Sequence, residues 1–196
     1  MRLETGISVA CVVVALSFAG CAGPTTELKV QPRAVAAPVA PHAAPVPILP
    51  VQVYVAAVQD LRLDAESLGQ VGNRTFAAHS VPQWIEAALR ASLRQRMTLA
   101  ETPAAGELVL QPSLRKCYVS NVDVTKAAVV VVEVAFQHLG KPAGSRVYRG
   151  RHTSMNWWNS DAELTQALQL AFDDCLVQIL RDVDARAQLI ASTRQP

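Results

Sequence analysis

The sequence is poor in aromatic residues and in charge, which make up 5% and 17% of its 196 residues. The charged fraction is below that of an average soluble domain, and the hydrophobic fraction of 51% excludes a disordered, highly charged chain. Only 9 residues are glycine, which excludes a collagen-like repeat. No segment reaches the roughly 18 consecutive apolar residues of a membrane-spanning helix. The net charge of +2 gives no reason to expect a nucleic-acid partner.

The residue patterns of common catalytic and metal sites are also missing. No two histidines stand at a metal-ligand spacing, and there is no Cys-x-x-Cys pair. A Gly-x-Ser-x-Gly elbow is absent, and Gly140-Lys141 is followed by proline where a phosphate-binding loop needs serine or threonine. We therefore expect a protein that is not an enzyme and that uses no metal and no cofactor. An active site would require dispersed residues such as Asp60, Arg62 and His152.

The N-terminal residues have the layout of a secretory signal peptide. Residues 7–19 are mostly apolar and too few to span a bilayer, as in the central region of such a signal. The sequence Phe-Ala-Gly at residues 18–20 stands before Cys21 and resembles the lipobox of bacterial lipoproteins. This resemblance implies cleavage after residue 20 and attachment of fatty acids, including palmitate, to Cys21. The alternative is an ordinary secretory signal, in which Cys21 has no special role.

The residue after Cys21 bears on the location of the protein. In enteric bacteria an aspartate there resembles a signal for retention in the inner membrane. Ala22 stands there instead and implies the outer membrane, with the protein on its periplasmic face. The choice between inner and outer membrane stays open.

Proline is concentrated in one segment, because seven of the twelve prolines lie within residues 24–50. Alanine and valine fill most of the gaps, a composition that favours an extended polyproline II spacer. The alternative for residues 27–30 is a short strand that packs on the domain. We divide the chain into a signal peptide (1–20), lipidated Cys21 with a tether (21–50), a periplasmic domain (51–190) and a disordered tail (191–196).

The domain shows the hydrophobic periods of both strands and helices. Alternation predicts a strand at residues 51–57, while the polar residues 60–74 predict a loop. Ser80 and Ser160 each begin a capping box followed by a helical apolar stripe. Three further strands are predicted at residues 107–119, 126–138 and 145–157. The order β-α-β-β-β-α predicts an α+β fold, with a mostly antiparallel sheet of four to five strands and two helices on one face.

Two cysteines in the domain, Cys117 and Cys175, form a candidate disulfide in an oxidising compartment. Cys175 lies on the apolar stripe of the final helix. Strand alternation places Cys117 on the face away from the helices, where it could not reach Cys175. A bulge near Pro112 would reverse this alternation, because proline cannot donate to a ladder and favours a bulge or an edge strand. The pairing therefore stays open.

Four residues near the end of the last predicted strand are candidates for partner contact. Trp157 and Trp158 are adjacent, so their side chains point to opposite faces of a strand and only one can enter the core. An exposed tryptophan often anchors an interface. Arg149 and Arg151 lie on the same strand and offer positive charge to an acidic partner.

Several segments together resemble the YajG-type outer-membrane lipoproteins. The similarity rests on Leu28-Lys29-Val30, on Asp60-Leu61-Arg62, on the helix at residues 84–96 and on Val-Tyr-Arg-Gly at residues 147–150. The pattern also resembles the auxiliary lipoproteins of ABC-type lipid transporters, which share a small α+β architecture. Both resemblances imply envelope proteins without known catalytic residues.

These observations lead to one functional hypothesis and one alternative. The first is a non-enzymatic lipoprotein, anchored in membrane lipid through Cys21, that presents a partner-binding domain to an envelope protein and serves in cell-envelope maintenance. The alternative is an auxiliary subunit of an ABC-type lipid or solute transport system. The partner and the oligomeric state stay open.

Overall fold

Two helices and a mixed sheet account for most of the computed structural model, which describes residues 24–33, 48–122, 125–155 and 160–194. The predicted signal peptide, Cys21, Trp157 and Trp158 lie outside these residues.

The centre of the sheet is an antiparallel meander of three long strands: β7 (Leu108–Val122), β8 (Thr125–His138) and β9 (Lys141–Met155). β8 is rich in β-branched valine, and its residues 126–130 are buried on both faces of the sheet, as expected for a strand that lies between two partner strands. β7 and β8 pair along their whole length, from Leu108↔His138 to Val122↔Thr125.

The other edge of β7 is covered in succession by three shorter strands, all parallel to it. These are β2 (Leu49–Val55), β3 (Gln59–Asp60) and β4 (Gly69–Val71). Further out, β6 (Met97–Leu99) pairs with β2, β5 (Arg74–Ala77) pairs with β4, and β1 (Thr25–Glu27) pairs with β5.

The predicted antiparallel sheet of four to five strands is therefore wrong, because the described residues form a mixed sheet of nine strands. Residues 60–74, which we predicted to be a loop, contain the end of β3, all of β4 and the start of β5. These strands have two to four residues, too few to show an alternating pattern. The parallel pairs arise because β2, β3 and β4 follow one another along β7 in its own direction.

Two helices supply the second layer. α2 (Asp161–Ser192) begins as predicted, with the Glu163 backbone N–H donating to Ser160 Oγ at 3.3 Å, and it buries the predicted stripe. α1 (Val81–Leu93) also buries its predicted stripe, and Trp84 lies 4.9 Å from the Phe172 ring of α2. The predicted cap at Ser80 is wrong, because this residue has a φ of 65° and its side chain makes no capping bond. Neither helix in the described ranges is long and apolar enough to cross a membrane.

The bulge considered near Pro112 occurs slightly later, between Leu114 and Lys116. Pro112 itself lies in β7, a central strand, although proline has no N–H to donate to a neighbouring strand. No hydrogen bond is lost, because Pro112 lies between the residues of β7 that pair with β2 and those that pair with β3. The bulge reverses the alternation after Leu114, so Cys117 faces the same side as the core leucines and is buried.

Part of the segment assigned to the tether belongs to the sheet. β1 pairs in parallel with β5, and Leu28 beyond it is buried at 2% exposure. The Trp84 indole then donates to the Gln31 carbonyl at 3.0 Å. The strand lies at Thr25–Glu27, slightly earlier than the 27–30 considered from the sequence.

Candidate functional site

One face of the three-stranded meander carries no layer of helices in the described residues. On β9, Tyr148 donates a hydrogen bond to Asp182 of α2, and Gly150 lies against the backbone of α2. Because side chains alternate along a strand, Arg149 and Arg151 lie on the opposite, open face, and both are exposed. We call this surface the open sheet face.

Two cross-strand rows define the open sheet face, since directly paired residues share a side of the sheet. The first row is Lys116, Val131 and Arg149, and the second is Tyr118, Val129 and Arg151. Each row therefore sets cationic side chains beside valine and, in the second row, tyrosine. Val129 is only 3% exposed, so Arg151 and Tyr118 supply most of the accessible surface of the second row.

The bulge residue Arg115 adds a further cation to the open sheet face. Its guanidinium donates to the Glu133 carboxylate from Nη2 at 2.6 Å, so its charge is paired. Lys116, Arg149 and Arg151 have no ion pair among the bridges of the described chain. Positive charge therefore exceeds negative charge on this face, which fits an acidic partner.

The free edge of β9 is less available for pairing with another strand, because side chains of α2 form hydrogen bonds with its backbone groups. Gln178 donates to the Arg149 carbonyl at 2.9 Å, and Arg186 donates to the Ala143 carbonyl at 2.9 Å. The Arg151 backbone N–H donates to the Asp174 carboxylate at 3.3 Å. Such contacts protect an edge from adding another strand, so we expect contact through the open sheet face instead.

A cleft of about 280 Å³ adjoins the open sheet face, where β7 lies unpaired between β3 and β4. Arg62 is its most buried cation, with a side chain 5% exposed. Its Nε and Nη2 donate to the two carboxylate oxygens of Asp60 at 2.9 and 2.7 Å, and Nη2 also donates to the Ala65 carbonyl at 2.6 Å. Arg62 Nη1 is buried and finds no hydrogen-bond partner in the described part of the chain.

The pairing of Asp60 and Arg62 follows from local geometry, because residues two apart in an extended chain point to the same side. The intervening Leu61 and the following Leu63 point outward and are exposed. This arrangement inverts the usual pattern, since the charges are inside and the leucines outside. The Arg62 hydrogen bonds hold the pKa of Asp60 below its usual range, so the carboxylate stays ionised.

The two domain cysteines are both buried, and both are free in the structure. Cys117 pairs with Val130, whose other neighbour, Gly150, lies beneath Cys175 of α2. Both thiols therefore belong to the helix-covered layer. Burial raises the pKa of each thiol to about 12, which disfavours the reactive thiolate. The disulfide stays a prediction.

The dispersed residues considered for an active site are brought together only in part. Asp60 and Arg62 form an ion pair, but His152 lies on β9 opposite Ala128 and does not line the cleft. No group of three or more His, Cys, Asp or Glu side chains within the described ranges could hold a metal ion. Sequence reasoning missed Arg115 and Lys116, whose position depends on the bulge.

The fold occurs in other bacterial proteins of low sequence identity. Protein XCC0632 from Xanthomonas campestris, of the DUF330 family, is 14% identical, and the match covers 80% of this chain and 92% of that one with a TM-score of 0.55. The hypothetical protein CT253 from Chlamydia trachomatis is 11% identical over 70% of this chain and 98% of its own, with a TM-score of 0.51. No family model and no curated protein matches the sequence.

Bacterial lipoproteins are among the structural neighbours. Lipoprotein GNA1162 from Neisseria meningitidis is 13% identical over 61% of this chain and 96% of its own, with a TM-score of 0.39. At these identities the comparisons establish the fold alone. They do not single out the YajG type.

Proposed function

We propose that this protein is a non-enzymatic lipoprotein of the bacterial outer membrane that binds an acidic protein partner in the periplasm. The lipid is attached to Cys21, and the open sheet face binds the partner. The observation behind the proposal is this face, on which Lys116, Arg149 and Arg151 are exposed and, within the described chain, make no ion pair. Val147 on the same face is 58% exposed. Arginine is enriched at protein interfaces, and an excess of positive charge favours an acidic partner.

A photo-crosslinking experiment tests the partner surface in intact cells. A photoreactive residue at Val147, which is exposed on the open sheet face, is expected to form a discrete protein adduct. The same residue at Leu189, exposed on α2, is expected to form none. The combined substitution Arg149→Glu/Arg151→Glu should reduce the Val147 adduct about tenfold or more, because it reverses two charges at the contact.

The control for charge is Arg94→Glu/Arg181→Glu, which changes the net charge equally at two exposed arginines of the helical layer. An adduct equally reduced by both double variants would contradict the proposed surface. Mass spectrometry identifies the adduct, and a transporter subunit in it would assign the protein to a transport system.

The anchor is tested by fractionation of Cys21→Ala. Without acyl chains, the variant is expected to leave the outer-membrane fraction, because several buried chains supply the attachment. Cys11→Ala, which changes a cysteine inside the predicted signal peptide, should fractionate like the natural protein. Retention of Cys21→Ala in the outer membrane would rule out lipidation of Cys21 as the anchor.

A further inference from the structure

Very little chain separates Cys21 from the folded domain. Thr25 already begins β1, where it pairs with Thr75, and Pro24 directly precedes it. Three residue steps lead from Cys21 to Pro24, and an extended chain spans at most about 11 Å over that length. A lipid on Cys21 therefore holds the start of β1 close to the bilayer surface.

The segment that follows β1 is also bound to the domain. Trp84 donates to the Gln31 carbonyl, and Arg33 pairs with Asp173 of α2. The chain returns to the domain at Leu49, whose backbone N–H donates to the Arg96 carbonyl at 3.1 Å. Residues 34–47 thus join two points of the domain, so their length does not set its distance from the membrane.

Several exposed positions share the end of the domain at which β1 begins. Arg74 connects them, because its Nη2 donates to Thr26 at 2.9 Å and to Asp161, the first residue of α2, at 2.7 Å. The turn at Gly72 and Asn73 precedes Arg74. β7 and β9 reach the same end of the sheet, where Thr125 pairs with both Val122 and Met155. We call this surface the β1 end.

Among the described residues of the β1 end, charge is mostly paired. Arg74 binds Asp161, and the nearly buried Lys126 binds Glu163 at 2.7 Å. The exposed positions Thr25, Asn73, Asn121 and Met155 are uncharged. These described residues present little net charge to lipid headgroups, and their hydroxyl and amide groups can form hydrogen bonds with them.

We propose that the β1 end lies against the periplasmic leaflet of the outer membrane, and that no stalk separates the two. This inference rests on the lipid anchor proposed above and adds the orientation of the domain. The long strands then run away from the bilayer. The hairpin between β8 and β9, with exposed Leu139, lies about 45 Å further out along the strands.

Site-specific quenching in vesicles tests this orientation. The full acylated chain, carrying Met155→Cys or Leu139→Cys, is labelled with bimane; Cys117 and Cys175 are buried and should not react. It is reconstituted into vesicles of phosphatidylethanolamine and phosphatidylglycerol that contain a headgroup-nitroxide lipid. We expect the label at position 155 to lose most of its fluorescence and the label at 139 to lose none. Equal quenching of both labels, or of neither in vesicle-bound protein, would overturn the proposal.

The same spacer inserted at two positions distinguishes the proposed orientation from a domain that a stalk holds away from the membrane. A Gly/Ser spacer of about twelve residues, which adds roughly 20 Å, is placed either after Gly23 or after Ala40. The first insertion should abolish quenching at position 155, while the second should leave it unchanged. Loss of quenching after the Ala40 insertion would show that residues 34–47 are the stalk, and the proposed orientation would be wrong.

Failure of the anchor can be told apart from failure of the orientation. If Cys21 is not the anchor, the Cys21→Ala variant binds the vesicles as the natural protein does, and the proposed function fails together with the orientation. If the anchor holds but the domain stands off the membrane, Cys21→Ala is released, while the natural protein binds without quenching at position 155.

Discussion

Gly150→Ala is expected to lower the free energy of unfolding by about 3 kcal/mol, measured by urea denaturation. A β-carbon at this position would lie 1.8 Å from the Ala171 carbonyl oxygen and 2.6 Å from the Cys175 backbone nitrogen. Both atoms belong to the backbone of α2, so no side-chain rotation relieves the clash. The helix must move away from β9, and the packing of the core is lost with it.

The matched control is Gly72→Ala, where no atom lies within 4 Å of the added carbon. Its φ of 63° costs about 1–2 kcal/mol for a residue other than glycine, without any clash. An equal loss of stability in the two variants would contradict the close approach of α2 to Gly150.

The helices could be predicted from the sequence because their signal is long. The stripe from Leu164 to Val183 repeats over several turns, and the Ser160 cap marks its start. β3, β4 and β5 carry no comparable signal, since two to four residues cannot show a period. Their positions depend on pairing with β7, which is tertiary information.

The candidate site could be predicted only in part for a similar reason. Arg149 and Arg151 were identified on their strand, but their neighbours Lys116 and Tyr118 depend on the register set by the bulge. The same bulge moves Cys117 into the core, against simple alternation. A one-residue shift reverses the facing of every later side chain. Pro112 indicates that a bulge could occur nearby, but the sequence does not give its position after Leu114.

Asp60→Ala is expected to lower the free energy of unfolding by about 3 kcal/mol at neutral pH, measured by urea denaturation. The substitution leaves Arg62, whose side chain is 5% exposed, without the carboxylate that accepts two of its hydrogen bonds. The double variant Asp60→Ala/Arg62→Met should recover much of this loss, because it removes the unpaired buried charge. Asp173→Ala, which breaks the ion pair with half-exposed Arg33, is the surface control and should cost less than about 1 kcal/mol.

The pH dependence gives the Asp60 prediction a second readout. Arg62 lowers the pKa of Asp60 in the folded state, so folding favours the ionised carboxylate. This stability is fully present above the unfolded pKa of about 3.9 and is lost as the pH falls through the lower folded pKa. The difference in stability between the natural protein and Asp60→Ala should therefore narrow below about pH 4. A difference that stays constant down to the acid transition, or a double variant no more stable than Asp60→Ala, would show that the ion pair contributes nothing specific.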